Sequence, residues 1–303
     1  MITPPYLRKN DTVGLIAPAK NFDAEGLQPA LSILKNWGLQ VKIGESVYNQ
    51  YGPFAGTDGE RASDLQIMVD DAEIKAIFCI RGGYGCNRII DSIDWTRFLK
   101  SPKWIVGYSD ITLLHCTLQR MGIESIHGIM PLQFSQEGSS LAVENLRKTL
   151  FGVPWSYETV THLLNRPGRI EGDLVGGNLA ILCSAIGTPS DFDSNNRILF
   201  IEDIGEYLYR LDRMMVQLKR AGKLSKLKGL VVGHLSDMLD NAVPFGKNAN
   251  EIIFDAIKDY NYPVCFNFPI GHEPLNLPMV VGRKTILEID NSVVKLSFET
   301  YSL

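Results

Sequence analysis

The segment at residues 104–115, WIVGYSDITLLH, carries a serine where a strand pattern turns into a helix pattern. An apolar run ends at Gly107, Ser109 and Asp110 follow, and the next apolar residues have helical spacing. A hydroxyl at such a bend is lifted out of the sheet among the first free N–H groups of the helix, as in a nucleophile elbow. Ser109 is therefore the candidate nucleophile, although serine is also a good helix N-cap.

A serine nucleophile needs a general base, and the histidines of the chain differ in how well they suit that role. His115 lies nearly two helical turns beyond the serine and points away from the bend. His127 and His234 each follow an apolar strand, whereas His272 lies in a rigid loop, FPIGHEPLNLPMVVG. The loop chemistry gives His272 a modest lead and leaves His127 and His234 open.

The base in turn needs a carboxylate, and two follow the predicted strand at 197–201. Glu202 and Asp203 come directly after it, at the carboxyl end where open α/β sheets place catalytic groups. Either carboxylate could instead cap the helix predicted to begin at 207. Asp203 fits that structural role well, whereas glutamate is a poorer cap, which favours Glu202 as the chemical group.

The motif RGGYG at residues 81–85 follows another predicted strand. Its glycines let the backbone come close to a ligand and adopt positive φ. It is not a P-loop, and Arg88 stands where G-x-G-x-x-G needs its last glycine. An N–H donor to an oxyanion, paired with the N–H of Asp110, is a better use. A tight turn that merely needs glycine explains the motif equally well.

Two other function classes compete with a serine hydrolase. A metallohydrolase would use Glu202, Asp203 or Asp237 with His234, but the chain has no H-x-x-x-H or H-E-x-x-H spacing. A non-catalytic binding module would close two α/β domains on a small ligand and use the serine as a helix cap. We expect neither a metal nor another cofactor.

Composition limits the partners and the location of the protein. The chain has 303 residues, which favours two domains, and its net charge of −4 gives no reason to expect nucleic acid or membrane partners. The apolar stretch at 13–19 is too short for a signal peptide, and no run approaches a membrane span. We therefore expect a cytoplasmic protein. Its 5 cysteines lack a C-x-x-C pair and are predicted to be reduced and buried.

Strand and helix patterns alternate in the first half, which predicts an α/β fold with a doubly wound, mostly parallel sheet. The predicted strands are 13–17, 39–43, 76–80 and 105–106, and the predicted helices are 27–37, 60–69, 88–99 and 111–121. The second half is predicted to hold a segment at 174–186 that is helical after Gly176 and Gly177, helices 207–221 and 252–260, strands 198–201, 229–233 and 263–266, and an antiparallel tail at 285–298. Glycines and prolines at 136–172 indicate a connection between the halves. The predicted units are an N-terminal domain at 1–135, this connection, and a smaller C-terminal α/β domain with a β-rich tail at 173–303.

Five motifs stand in the order found in LD-carboxypeptidases, the serine peptidases of the LdcA/MccF type. They are RGGYG, GYSD, GGNLA, EDIGEYLYRLDRMMVQLKRAG and GHEPLNLPMVVG. The chain resembles this family from about residue 11 to residue 290. The RGGYG loop looks more like that of the muropeptide enzymes than that of the microcin-type amidases, which act on peptidyl-nucleotides.

The resemblance implies a catalytic triad of Ser109, Glu202 and His272, and it favours His272 over the other two histidines. It implies an N-terminal domain with the serine, a C-terminal domain with the acid and the base, and often a homodimer. The implied reaction releases the terminal D-alanine of a cell-wall tetrapeptide through an acyl-enzyme. The remaining site residues that we expect are the oxyanion donors Gly83 and Asp110 and the substrate contacts Arg81, Gly82 and Tyr108.

Overall fold

Two sheets with helices packed on them form the computed structural model, which describes residues 1–299. In chain order, the strands are β1 (Thr12–Ile16), β2 (Gln40–Ile43), β3 (Ile74–Cys79), β4 (Trp104–Gly107), β5 (Ser125–His127), β6 (Ser156–Val160), β7 (Gly168–Asn178), β8 (Ile198–Ile204), β9 (Gly229–Ser236), β10 (Val264–Cys265), β11 (Met279–Val281), β12 (Lys284–Ile289) and β13 (Val293–Phe298). The helices are α1 (Gln28–Asn36), α2 (Asp58–Asp70), α3 (Thr96–Lys100), α4 (Thr112–Arg120), α5 (Ser140–Leu150), α6 (Leu179–Ala185), α7 (Leu208–Arg220) and α8 (Ala249–Ile257).

The first sheet has the spatial order β11-β5-β4-β3-β1-β2. Strands β1 to β5 run parallel, as the alternating pattern predicted, and β11 is antiparallel to β5. The strand order reverses between β1 and β3, so the loops that follow these two strands border a crevice. Residues 76–79 of β3 and all of β4 are buried, because covered parallel sheets hide both faces of their strands.

The second sheet has the order β10-β9-β8-β7-β12-β13-β6. Strands β7 to β10 are parallel, and β12, β13 and β6 add an antiparallel ribbon to the edge of β7. The hairpin of β12 and β13 confirms the antiparallel tail predicted from the alternation at 285–298. Together the two sheets confirm the predicted α/β class with a β-rich tail.

The helical pattern predicted at 174–186, after Gly176 and Gly177, is confirmed as α6, and the residues up to Asn178 belong to β7. Gly176 and Gly177 have φ of 142° and 148°, and a Cβ on Gly176 would lie 1.9 Å from the Phe200 carbonyl oxygen. These glycines therefore allow β7 to pack closely on β8. Helix α6 begins only where the Asn178 side chain accepts the Ile181 N–H at 3.2 Å.

The segment predicted as a connection, 136–172, contains α5, β6 and the start of β7. The chain also returns to the first sheet late, when β11 pairs with β5. A buried ion pair fixes this return, since Arg283 Nη2 donates to Glu124 Oε2 at 2.6 Å and both side chains are 1% exposed. The domain boundaries given above stay a prediction.

The cysteines agree with the prediction made from their spacing. All 5 cysteines are buried and free, as their spacing predicted. Between residues 1 and 299, no helix combines the length and apolar character needed to cross a membrane.

Candidate active site

Ser109 stands at the end of β4, where the chain turns into a single 3-10 turn, Ser109–Ile111, ahead of α4. Its φ is +62°, a left-handed conformation that costs a residue with a side chain of order 1 kcal/mol or more. Ser109 is not the N-cap of either the turn or the helix, because these positions belong to Tyr108 and Ile111. The strained backbone therefore supports the elbow interpretation over the helix-cap alternative.

The glycine loop at residues 81–85 lies directly against this serine. A Cβ on Gly82 would lie 3.0 Å from Ser109 Cβ and 3.3 Å from its Oγ, so a side chain at 82 would crowd the hydroxyl. Gly83 has a φ of 109°, which only glycine adopts readily. The buried Asp110 carboxylate accepts the Cys86 N–H at 2.8 Å and so ties the end of the loop to the serine turn. The predicted oxyanion donors thus belong to two elements that are fastened together.

Arg81 is anchored rather than free. Its Nη1 donates to the Asn21 carbonyl oxygen at 2.9 Å, which ties the glycine loop to the turn after β1. Arg61 supports the same region from beneath, because its buried Nη1 donates to the Gly85 carbonyl oxygen at 3.1 Å. Arg81 therefore anchors the glycine loop, and its contact with substrate stays a prediction.

Glu202 and His272, which are far apart in sequence, are hydrogen-bonded. His272 Nδ1 lies 2.7 Å from Glu202 Oε2, and the glutamate side chain is fully buried at the end of β8. Gly271 has a φ of 119°, and a Cβ there would lie 3.0 Å from the glutamate Cβ, so the loop approaches only through glycine. With Nδ1 engaged, Nε2 is the ring nitrogen left to exchange a proton.

The environment of His272 favours its charged form. Burial acts to lower the pKa of the imidazole, but the hydrogen bond to Glu202 and its negative charge outweigh burial, with smaller contributions from Asp203 and Glu273. The net result raises the pKa of His272 above its ordinary value of 6.5. A carboxylate that stabilises the imidazolium is the electrostatic role of the acid in a serine hydrolase.

Tyr108 connects the serine turn to this pair. Its ring meets the His272 ring edge to face, with centroids 4.8 Å apart. The side chain is only 2% exposed, and its hydroxyl accepts the Gln133 Nε2–H at 2.6 Å. Burial raises the pKa of Tyr108 to about 12. The buried ring packs on the imidazole, and the expected substrate contact of Tyr108 stays a prediction.

A second link joins the helix after Ser109 to the strand beside Glu202. Thr112 Oγ1, at the start of α4, accepts the N–H of Asn178 at 2.9 Å. Asn178 is the residue of β7 that pairs in register with Glu202. The nucleophile helix is therefore docked one strand away from the acid.

Asp203 has a structural role, but not at the helix predicted for it. Its Oδ2 accepts the Ala180 N–H at 3.0 Å and its Oδ1 accepts Asn178 Nδ2–H at 2.9 Å, so it serves the start of α6. The expected cap of the helix that begins near 207 is therefore wrong, since Tyr207 occupies that N-cap position without a side-chain bond. Burial and the neighbouring Glu202 raise the pKa of Asp203 to about 7.

The other histidines lack a carboxylate partner. His127 is fully buried with no hydrogen bond to either ring nitrogen, and burial holds its pKa well below its ordinary value. His115 is buried between the Gly107 carbonyl oxygen and Ser125 Oγ. Burial also lowers the pKa of His234, whose Nδ1 has no partner. Within residues 1–299, His272 is the histidine that forms an ion pair with a carboxylate.

The groups proposed for a metallohydrolase do not assemble. In the part of the chain that the structure describes, no three His, Cys, Asp or Glu side chains are grouped to hold a metal ion. Asp203 is instead committed to backbone and amide donors at α6.

Sequence reasoning missed the residues that support the site. Gly271, Gln133, Thr112 and Asn178 each hold one of the candidate groups in place. The motif GGNLA contained Asn178, yet the spacing gave no indication that its neighbours in space are Thr112 and Asp203. Such partners lie in other elements, so a single sequence does not reveal them.

Comparison with known protein families shows that two sequence models match. Residues 13–128 match the LD-carboxypeptidase N-terminal domain, and residues 171–287 match the LD-carboxypeptidase C-terminal domain. The match to each model covers most of one sheet and its helices.

Related proteins extend over nearly the whole chain. A probable murein peptide carboxypeptidase of Bacillus subtilis is 38% identical over 94% of this chain and 91% of its own length. The murein tetrapeptide carboxypeptidase of Pseudomonas aeruginosa is 31% identical over 91% and 92%. The crystal structure of a muramoyltetrapeptide carboxypeptidase from Oxalobacter formigenes is 29% identical, covers 96% of this chain and all of its own, and superposes with a TM-score of 0.87.

Proposed function

Because this chain belongs to the LD-carboxypeptidase family and is a carboxypeptidase, we propose that it hydrolyses an L,D-peptide bond and releases the terminal D-alanine of cell-wall tetrapeptides. The relatives named for murein peptides support this substrate. The observation that carries the proposal is the buried Glu202–His272 hydrogen bond, packed against the residue that precedes Ser109. We further propose that the product enters peptidoglycan recycling.

In the proposed mechanism, Ser109 Oγ attacks the carbonyl carbon of the scissile bond while His272 Nε2 takes the hydroxyl proton. Glu202 holds Nδ1–H, which fixes the tautomer and stabilises the imidazolium that forms. The histidine then gives its proton to the leaving amine, and the D-amino acid departs. Water hydrolyses the acyl-enzyme by the same proton exchange in reverse.

The negative charge of the tetrahedral intermediate needs donors that are already in place. We assign them to the backbone N–H groups of Gly83 and Asp110, which flank the serine on the two fastened elements. Losing one such donor typically costs about 10²–10³ in rate. No step of this reaction draws on a metal ion.

The direct test replaces Ser109 with alanine and follows tetrapeptide cleavage by mass spectrometry. We expect kcat to fall by about 10³-fold or more, because the nucleophile is lost while folding is unaffected. Ser32→Ala is the matched control, since Ser32 is an exposed serine on α1 that bonds only to the Gln28 carbonyl oxygen, and it should retain full activity. Cleavage by Ser109→Ala at the wild-type rate would refute the assignment. Binding of the tetrapeptide by the wild-type protein without turnover would instead support a binding module.

We also propose that the protein is cytoplasmic, as the sequence predicts, and that it is a homodimer, as the resemblance implies. Light scattering on the purified protein should give twice the monomer mass of 33.8 kDa.

A further inference from the structure

Two loops meet where the strand order of the first sheet reverses. The loop after β1 holds residues 17–22, and the loop after β3 holds the glycine motif at 81–85. Ligands of open α/β sheets bind in the crevice at such a switch point. The proposed nucleophile follows β4, the next strand in the sheet, so the crevice opens beside Ser109.

Lys20 lies across the glycine loop at this crevice. A Cβ on Gly83 would lie 2.9 Å from Lys20 Cβ and 3.2 Å from its Cδ, so the aliphatic stem of the lysine passes directly over that glycine. The N–H of Lys20 also donates to the Gly82 carbonyl oxygen at 3.4 Å. Gly82 lies beside Ser109, and Gly83 is the next residue, about 3.8 Å away between Cα atoms. The lysine stem over Gly83 therefore passes close to the nucleophile.

The charge of Lys20 is uncommitted. Its side chain is exposed, and in the described part of the chain its ammonium has neither an ion pair nor a hydrogen bond. The nearby cations differ, because Arg81 is bound to the Asn21 carbonyl oxygen and Arg88 is paired with Asp58. A free ammonium beside a catalytic loop offers a charged hydrogen bond to an incoming anion.

The side of the site around His272 is negatively charged. The carboxylates of Glu202, Asp203 and Glu273 all act on the His272 imidazole. They would repel a substrate carboxylate, so an anionic chain end is favoured on the side of the glycine loop. The carboxylate of a terminal amino acid lies only about 4 Å from the attacked carbonyl carbon. The Lys20 side chain, whose stem passes over Gly83, can reach that distance.

We propose that the Lys20 ammonium binds the free α-carboxylate of the terminal D-amino acid, holding the leaving residue between the glycine loop and His272. This inference rests on the proposed function and adds the group that recognises a free chain end. It places the carboxylate-binding cation in the loop after β1, whereas Arg81 is bound to the Asn21 carbonyl oxygen. The lysine thereby makes the enzyme prefer a terminal residue over an internal bond.

The test compares two tetrapeptides, one ending in D-alanine and one in D-alaninamide, with wild-type enzyme and with Lys20→Gln. For the free acid we expect kcat/KM to fall by about 10–100-fold through KM, because a charged hydrogen bond is lost. For the amide, which has no carboxylate, we expect Lys20→Gln to equal wild type. Lys20→Arg should restore most of the preference for the acid.

Lys9→Gln is the matched control. Lys9 is also exposed, and its stem also covers a left-handed glycine, Gly38, but it precedes β1 and so lies at the opposite edge of the sheet. It should cleave both peptides at wild-type rates. Thermal unfolding midpoints of both variants should match wild type.

The outcomes separate this inference from the function on which it rests. If wild-type enzyme cleaves neither peptide, the proposed function fails. If the wild type cleaves the acid and Lys20→Gln slows the acid and the amide equally, or neither, carboxylate recognition by Lys20 is refuted while the function stands.

Discussion

Ser109 is positioned by backbone geometry, whereas His272 is positioned by buried side chains. On the serine side, left-handed backbone at Ser109 and Gly83 and close contact at Gly82 set the shape of the turn. On the histidine side, a fully buried carboxylate and a buried tyrosine ring hold the imidazole. The serine side of the site should therefore lose activity when volume is added, and the histidine side when charge is removed.

The largest effect is expected from removing the charge of Glu202. Glu202→Gln keeps the shape of the side chain but removes the negative charge that faces His272 Nδ1. We therefore expect kcat/KM on the tetrapeptide to fall by about 10⁴-fold. Glu206→Gln is the control, because Glu206 is a partly exposed glutamate just after the same strand, and this variant should stay active. Retained activity in Glu202→Gln would show that His272 does not depend on the charge of Glu202.

A smaller loss is expected from adding one methyl group beside the nucleophile. Gly82→Ala places a Cβ 3.0 Å from Ser109 Cβ, which pushes the loop away and should lower kcat by about 10²-fold. Gly59→Ala is the matched control, because no atom lies within 4 Å of a Cβ at that helical position. The control should be as active as wild type and slightly more stable. Equal rates for the two alanine variants would contradict steric control of the serine half.

The pH dependence should report the charge on the imidazole. His272 must be neutral to accept a proton, and its pKa is raised above 6.5 by Glu202, so kcat/KM should fall about tenfold per pH unit below a midpoint above 6.5. The same raised pKa means that the ionised pair stabilises the fold at low pH, and that this contribution is lost as pH rises through the midpoint. A pH–rate midpoint below 6.5 would contradict the role given to Glu202.

The smallest effect on rate is expected at the hydrogen bond that links α4 to β7. Thr112→Val keeps the side-chain volume but leaves the buried Asn178 N–H without its acceptor, so the free energy of unfolding should fall by about 1–3 kcal/mol. The rate should change by less than about tenfold, because no reacting group is removed. Chemical denaturation and tetrapeptide kinetics measure the two effects separately. A loss of activity as large as that of Gly82→Ala would show that the Thr112–Asn178 hydrogen bond also sets the shape of the turn at Ser109.

Local signals predicted Ser109 and Glu202 better than His272. The bend at Ser109 and the strand end at Glu202 depend on neighbouring residues, so the sequence pattern revealed both. Loop chemistry gave His272 a modest lead over His127 and His234, and the resemblance to a family favoured it further. Its packing against Tyr108 joins residues far apart in sequence, so the pattern did not reveal it. The structure adds the hydrogen bond to Glu202, which spacing does not encode.

The fold showed the same limit. The parallel strands of the first sheet were predicted from the βαβ rhythm, and the antiparallel tail from its alternation. The pairing of β11 with β5 and the cap from Asp203 to α6 were not, because each joins segments that are distant along the chain. The two-domain boundaries remain a prediction, since β11 crosses from one predicted domain to the sheet of the other.

The late return of the chain at β11 also bears on how the protein is made. The edge of the first sheet beside β5 is closed only by residues 279–281, so this edge remains open while a ribosome synthesises most of the polypeptide. An unpaired edge is prone to pairing with other chains, and closing it requires contacts between distant parts of the sequence. Truncation just before this strand should therefore yield an aggregation-prone product, even though the segment that carries the nucleophile would be complete.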